Sequence, residues 1–311
     1  MNAMPERIGW IGTGVMGAAM CGHLMTAGHP AVVFNRTRAS AEALLAQGAQ
    51  WRGSPAEVAA DADVVFTIVG TPDDVRAVVL GDEGVLAGAR PGLLLVEMTT
   101  SDPSLARELF YAGAARGVDV LDAPVSGGDI GARNASLVVM VGGSPAAFDR
   151  ARPLLDVLAK SVVHNGDAGA GQHTKMVNQI AIAGGMIGVC EALVYGARAG
   201  LDLEQVIETI QGGAAGSWSL SNYGPRMLRQ DFAPGFKIDH FLKDLGIALA
   251  QAREANVALP GAELAQKLYE ELQAEGMGQR GIQSLVLRLS ELASLDWSAE
   301  QTSSDGDADA S

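Results

Sequence analysis

Residues 7–17 read RIGWIGTGVMG, and the fold turns on them. The start of this stretch has the pattern of a short apolar strand. It is followed by Gly12, Gly14 and Gly17 in G-x-G-x-x-G spacing. Gly12 permits a tight turn, Gly14 lets the backbone come close to a pyrophosphate, and Gly17 allows a helix to pack tightly on the strand. The next segment, VMGAAMCGHLMTAG, predicts a helix closed by Gly28, whose first amides would face phosphate. Glycine-rich turns are common, so context decides: a strand before, a helix after, and a second apolar strand at Ala31–Phe34. The loop Gly12-Thr13-Gly14-Val15-Met16-Gly17 is therefore the expected cradle of a dinucleotide.

The end of the second strand bears on which dinucleotide. A site for NAD(H) usually places Asp or Glu there to hold the ribose 2′-hydroxyl. This chain has Asn35-Arg36-Thr37, with Arg38 next. The planar donor fork of Arg36 can pair with a 2′-phosphate that a carboxylate would repel. That favours NADP(H); read as an ordinary exposed residue, Arg36 leaves NAD(H) open.

Alternation of strand and helix continues. Strands are predicted at residues 63–69 (DVVFTIV), 93–98, 118–121, 137–141 and 161–164, with helices from about Asp73, after Pro103 and over 145–158. In such sheets ligands gather at the carboxyl ends of the strands, where Thr71, Thr100 and Ser126 fall. Each alone could be an N-cap or turn residue; three strand ends together point to a site.

Of 311 residues 48% are hydrophobic, enough for two domains with their own cores. The net charge of −14 argues against nucleic acid or an anionic membrane as partner. Cys21 and Cys190 lie far apart in helical apolar patterns, as buried thiols rather than a disulfide, and the five histidines show no metal-ligand spacing. With no basic and apolar leader, a cytoplasmic location is expected.

Residues 169–200 read GAGQHTKMVNQIAIAGGMIGVCEALVYGARAG. No charge appears from Met176 to Cys190, which predicts a helix buried on nearly all sides yet too short to span a membrane. Lys175, Asn178 and Gln179 sit at i, i+3 and i+4 on one face. A lysine at the mouth of such a helix either snorkels to water or serves chemistry.

Four stretches now come together: Gly12-x-Gly14-x-Met16-Gly17; Asp122-Ala123-Pro124-Val125-Ser126-Gly127-Gly128; Gly169-x-Gly171-x-x-x-Lys175-x-x-Asn178; and Lys243-Asp244-Leu245. In this order and spacing the chain resembles the β-hydroxyacid dehydrogenase family, from about Arg7 to Leu292. The resemblance implies an α/β Rossmann-type, doubly wound dinucleotide-binding domain over residues 1–167. An all-α domain opening on a long interdomain helix would occupy 168–297; outside the resemblance, the acidic residues 298–311 have no apolar periodicity and are expected to be a disordered tail. The resemblance implies that Lys175 is the catalytic acid and base, and that Ser126, Gly127 and Gly128 hold the substrate carboxylate. Asn178 and Gln179 would hold substrate oxygens, where many relatives have Asn-Asn. Val69, Gly70 and Thr100 would line the nicotinamide side and Lys243 close over the cofactor, with Thr71 a further cofactor contact. Glu97-Met98-Thr99-Thr100 departs from the family's usual Asp-Met-Ser-Thr, which weakens the assignment of Thr100. Asn35-Arg36-Thr37 resembles the NADPH-using reductases of the family, and the resemblance also implies a homodimer or homotetramer.

The second half shows helical spacing only: residues 203–211, 219–230, 237–255, 262–275 and 282–292. Phe232 and Trp218 are candidates to wall a substrate pocket, and Asp122 to anchor its own turn. The expected activity is NADP(H)-dependent interconversion of small carboxylate-bearing aldehydes and hydroxyacids, with the Lys175 ammonium stabilising the developing oxyanion. Accepting a proton in the oxidising direction requires a pKa below the usual ~10.4, which apolar surroundings favour. An imine reductase usually lacks this lysine, and a non-catalytic NADP-binding module needs neither the lysine nor the Ser-Gly-Gly turn.

Overall fold

A computed structural model describes residues 5–297; the tail at 298–311 lies outside the described residues. The chain forms two compact units, Met1–Met176 and Val177–Ser311. They divide inside the long helix Ala170–Arg198, past the 167/168 division expected from sequence, so the first turns of that helix belong with the sheet.

In the first unit nine strands make one sheet among the described residues: β1 (Ile8–Ile11), β2 (Ala31–Phe34), β3 (Gln50–Trp51), β4 (Val64–Thr67), β5 (Leu94–Glu97), β6 (Asp119–Asp122), β7 (Val125–Ser126), β8 (Leu137–Gly142) and β9 (Ala159–Gly166). Their order is β3-β2-β1-β4-β5-β6-β8-β7, with β9 paired to β8. From β3 to β6 all pairs are parallel, which is the doubly wound order with its reversal between β1 and β4. β8 then runs antiparallel to β6 and β7. Sequence pattern missed β7 and β3 because two residues carry no periodicity.

Period-two alternation divides the core. Ile8, Trp10, Val64, Phe66, Leu94 and Val96 face one layer of helices. Ile11, Val32, Val65 and Leu95 face the other. Trp10 and Phe66 are paired in register and stacked at 5.2 Å, and the Trp10 indole N–H donates to the Gly12 carbonyl at 3.0 Å. The largest core side chain thereby fixes the start of the glycine loop.

The second unit packs the C-terminal part of the long helix with helices Leu203–Gln211, Trp218–Leu228, Ile238–Glu254, Pro260–Leu272 and Leu285–Leu292. Ile187, Cys190 and Leu193 meet Phe241, Leu245, Tyr269 and Leu285 in its core. Phe241 stands edge-on to Tyr269 at 5.1 Å, and the Tyr269 hydroxyl donates to the Ile282 carbonyl at 2.9 Å.

Two expectations for the long helix are corrected. It is 29 residues long and contains an 18-residue window of mean hydropathy 1.7, long and apolar enough by that measure to cross a membrane, because the helix extends well beyond its charge-free run. Nor is it buried on nearly all sides. Val177, Ala181, Gly184, Gly188, Ala192 and Tyr195 form an exposed stripe, with Val177 67% and Tyr195 74% accessible. Gly and Ala count as apolar in a sequence but present little surface to bury, so their run overstated the buried arc.

Candidate active site

The glycine loop opens where β1 ends. Gly12 has φ 96°, and a Cβ there would sit 2.0 Å from the Ile68 carbonyl oxygen; a Cβ on Gly17 would sit 2.0 Å from the Gly12 carbonyl oxygen. Both glycines are thus required by the chain's own packing. Gly14 is different: a Cβ there meets nothing within 4 Å, and Val15 beside it is 72% exposed. Among the described residues no packing demands glycine at 14, which fits a position kept bare for a ligand to approach. Gly14 caps helix Val15–Thr26, whose first turn has no acidic residue, so its unpaired amides face outward with no side chain to repel an anion. The buried Thr13 hydroxyl lacks a hydrogen-bond partner among the described residues. The loop fits a dinucleotide pyrophosphate.

Asn35 ties this loop to the end of β2. Its carbonyl oxygen accepts the Thr13 amide at 3.1 Å and its amide donates to the Thr37 carbonyl at 2.9 Å. Arg36, 89% exposed, reaches Asp74 at 3.3 Å. Exposed pairs of this kind contribute at most about 1 kcal/mol, so the guanidinium is readily exchanged to another anion. Thr71 commits both its amide and its hydroxyl to Asp74 in a capping box at the head of helix Pro72–Leu80.

Behind these ends lies a buried hydrogen-bonded layer. The Val69 amide donates to the Thr99 hydroxyl at 3.0 Å, and the Thr99 amide donates to the Glu97 carboxylate at 2.8 Å. Gln172, fully buried, donates to the Thr99 carbonyl at 2.7 Å and accepts the Ser101 amide at 2.9 Å, bracketing Thr100. Sequence reasoning missed Gln172. The available signal was its place one turn before Lys175.

Asp122 does not anchor its own turn alone, as sequence suggested. Its two oxygens accept the Gly169 and Gln172 amides, each at 2.8 Å, and so cap the long helix from β6. Burial pushes its carboxyl above the usual range, and these amides partly oppose that. One turn further on, Lys175 is 6% accessible and its ammonium donates to the Val125 carbonyl at 2.9 Å. Val125 immediately precedes Ser126, Gly127 and Gly128, and the two glycines have φ 126° and 62°. That left-handed backbone is one a side chain would strain. Lys175 and the Ser-Gly-Gly turn are therefore neighbours in the first unit. His173 is exposed.

In the second unit the Asn178 amide donates to the Gln179 carbonyl oxygen at 2.7 Å, and the Gln179 amide to Asp244 at 2.6 Å. Lys243 lies 3.0 Å from the other Asp244 oxygen, an ion-pair contact rather than an aligned hydrogen bond. Phe232 is half-buried against the helical core, while Trp218 is half exposed and edge-on to Tyr223.

Residues 7–166 match the family model described as the NAD binding domain of 6-phosphogluconate dehydrogenase. Residues 169–289 match the one described as NAD-binding of NADP-dependent 3-hydroxyisobutyrate dehydrogenase. A probable 3-hydroxyisobutyrate dehydrogenase-like protein of Arabidopsis thaliana (like 1) is 50% identical over 287 residues, covering 92% of this chain and 86% of that one. An uncharacterized oxidoreductase of Bacillus subtilis, YkwC, is 48% identical over 282 residues, 91% of this chain and 98% of its own. The solved structure of Mycobacterium tuberculosis 3-hydroxyisobutyrate dehydrogenase with L-serine gives a TM-score of 0.84 at 33% identity, covering 92% and 99% of the two chains.

Proposed function

This chain belongs to the β-hydroxyacid dehydrogenase family and is an NAD(P)-dependent oxidoreductase of hydroxyacids, and on that premise we propose that it uses NADP(H) to interconvert small carboxylate-bearing aldehydes and hydroxyacids, with Lys175 as acid and base. The observation that carries the reading is the buried Lys175 ammonium held on the Val125 carbonyl, one residue from the Ser126-Gly127-Gly128 turn. A carboxylate accepted by the Ser126 hydroxyl and the Gly127 and Gly128 amides would bring its neighbouring carbonyl toward that amine.

The cofactor, when bound, supplies or takes up the hydride. Lys175 does the rest at the oxygen. An ammonium has three N–H donors, and one goes to Val125. Another, directed at the substrate carbonyl oxygen, stabilises the charge that grows there and then delivers the proton; in the reverse direction the amine takes it back. The Gln172 and Asp122 bonds hold the lysine's helix against the ends of β5 and β6, so the amine is placed before substrate arrives.

Arg36 supports NADP(H) through its reach at the end of β2, and the open Gly14 supports a pyrophosphate at the helix start. For Asn178, Gln179, Phe232 and Lys243 the support is the motif they match. The exposed stripe on the long helix, with Val177 and Tyr195, supports a homo-oligomer, dimer or tetramer.

A panel with NADPH and NADH in parallel tests the reading: tartronate, succinic and methylmalonate semialdehydes and glyoxylate for reduction, 3-hydroxyisobutyrate and L-serine for oxidation. Turnover of at least one carboxylate, faster with NADPH, is expected. Reduction of a cyclic imine with none of the carboxylates turned over would sink it.

A further inference from the structure

The chain lacks an acid at the end of β2, yet a carboxylate stands next to Arg36 all the same, supplied from beyond β4. Asp74 is the third residue of helix Pro72–Leu80, and its two oxygens have separate tasks. Oδ2 accepts the Thr71 amide at 3.1 Å and the Thr71 hydroxyl at 2.9 Å. Oδ1 faces the Arg36 guanidinium at 3.3 Å. Because the capping box holds one oxygen, the carboxylate cannot swing away from Arg36 without breaking the helix cap. The next arginine, Arg38, lies over the Trp51 ring at 5.4 Å, so of the two guanidiniums after β2 it is Arg36 that Asp74 engages.

We propose that Asp74 sets the cofactor preference of this chain, restraining NADP(H) and supporting NAD(H) from the head of the helix that follows β4, two strands across the sheet from the one that usually carries the acid. The inference rests on the reading of Arg36 as the 2′-phosphate residue. A 2′-phosphate drawn to Arg36 meets a fixed carboxylate beside the same guanidinium. The dianion gains the cation and is opposed by the anion. A ribose 2′-hydroxyl has no charge to oppose, and it can donate to a carboxylate. The pair therefore narrows the gap between the two cofactors.

The test is titration of NADPH and NADH onto the full chain, without substrate, by nicotinamide fluorescence. Asp74→Asn keeps an oxygen for Thr71 while removing the charge. It is expected to tighten NADPH about five- to tenfold, with NADH unchanged or weaker. Asp73→Asn removes the same charge one residue away from the Arg36 contact and is expected to move the NADPH-to-NADH ratio less than about twofold. If Asp74→Asn folds poorly, Asp74→Ser serves in its place. Arg36→Ala tests the parent reading: loss of the preference for NADPH upholds it. If Arg36→Ala loses the preference while Asp74→Asn leaves the ratio unmoved, or moves it no more than Asp73→Asn, the Asp74 proposal alone is overturned. If Arg36→Ala keeps the wild-type ratio, the Arg36 reading fails and takes the Asp74 proposal with it.

Discussion

Two lysines, one in each unit, are held in opposite ways. Lys175 donates to the carbonyl of Val125, a neutral acceptor that fixes its position. Lys243 lies against Asp244, a carboxylate only 2% exposed, which neutralises it and in turn orients Gln179. A buried amine on a carbonyl is costly to fold around and useful for chemistry; a buried pair is closer to structural in its effect. The contrast separates what each should do when removed.

Lys175→Met should give the largest effect on turnover, a fall in kcat/KM of roughly 10³–10⁴-fold, because both charge stabilisation and proton transfer go with the amine. Stability should hold within about 1 kcal/mol, since a methionine fills the same volume and needs no partner. Steady-state kinetics beside NADPH titration and denaturant melts check this; a variant that binds NADPH and retains wild-type turnover removes Lys175 from the mechanism. Asp244→Ala should show the converse balance. Deleting the carboxylate leaves the Gln179 amide without its acceptor and removes the Asp244 contact of Lys243, at a cost of about 2–4 kcal/mol, tempered because Lys243 is 20% exposed. Urea unfolding reads it directly, and an unchanged midpoint would make the pair a bystander.

Asp122 sharpens the comparison from the first unit, as a buried carboxylate satisfied by amides rather than by a cation. Asp122→Asn replaces an acceptor oxygen with a donor facing an amide, at a cost of about 1–3 kcal/mol near neutral pH. The pH dependence has a definite sign. Burial raises the Asp122 carboxyl in the folded state, so the fold holds its proton more tightly than the unfolded chain does. Its contribution is fully present below the ordinary carboxylate range and is lost as pH rises through the elevated folded value. Wild type should therefore lose stability relative to Asp122→Asn on raising pH through that window. Parallel pH curves for the two proteins would remove Asp122 as the source.

The first unit was legible because its chemistry follows strand ends. The GTGVMG loop, the buried strands and the Ser-Gly-Gly turn each carry a local pattern that period and glycine spacing reveal. Gln172 and the Asp122 cap were not legible as such. Their bonds join segments 47 to 73 residues apart, and nothing in a linear pattern says which amide meets which carboxylate. The same holds for Asp74, which reads as an ordinary first-turn acid until β1 and β4 lie side by side and bring it to Arg36. In the second unit helix positions were readable, down to Leu203–Gln211 at its expected ends. The exposed arc of the long helix was not, because glycine and alanine look alike whether covered or bare.

Each unit also holds one cysteine, and this gives the smallest effect and the finest probe. Burial pushes the Cys21 thiol up to about 12 and pushes Cys190 up as well. Neither should react with an aromatic disulfide reagent at pH 8 while the fold is intact, because the thiolate is the reactive form and both sulfurs are buried. Labelling then reports opening of the unit around each thiol. Asp244→Ala should hasten Cys190 labelling by about tenfold or more and leave Cys21 within about twofold, whereas Asp122→Asn should act first on Cys21. If every variant speeds both thiols equally, the two units open as one cooperative body, and the separation drawn from the two lysines holds for chemistry but not for stability.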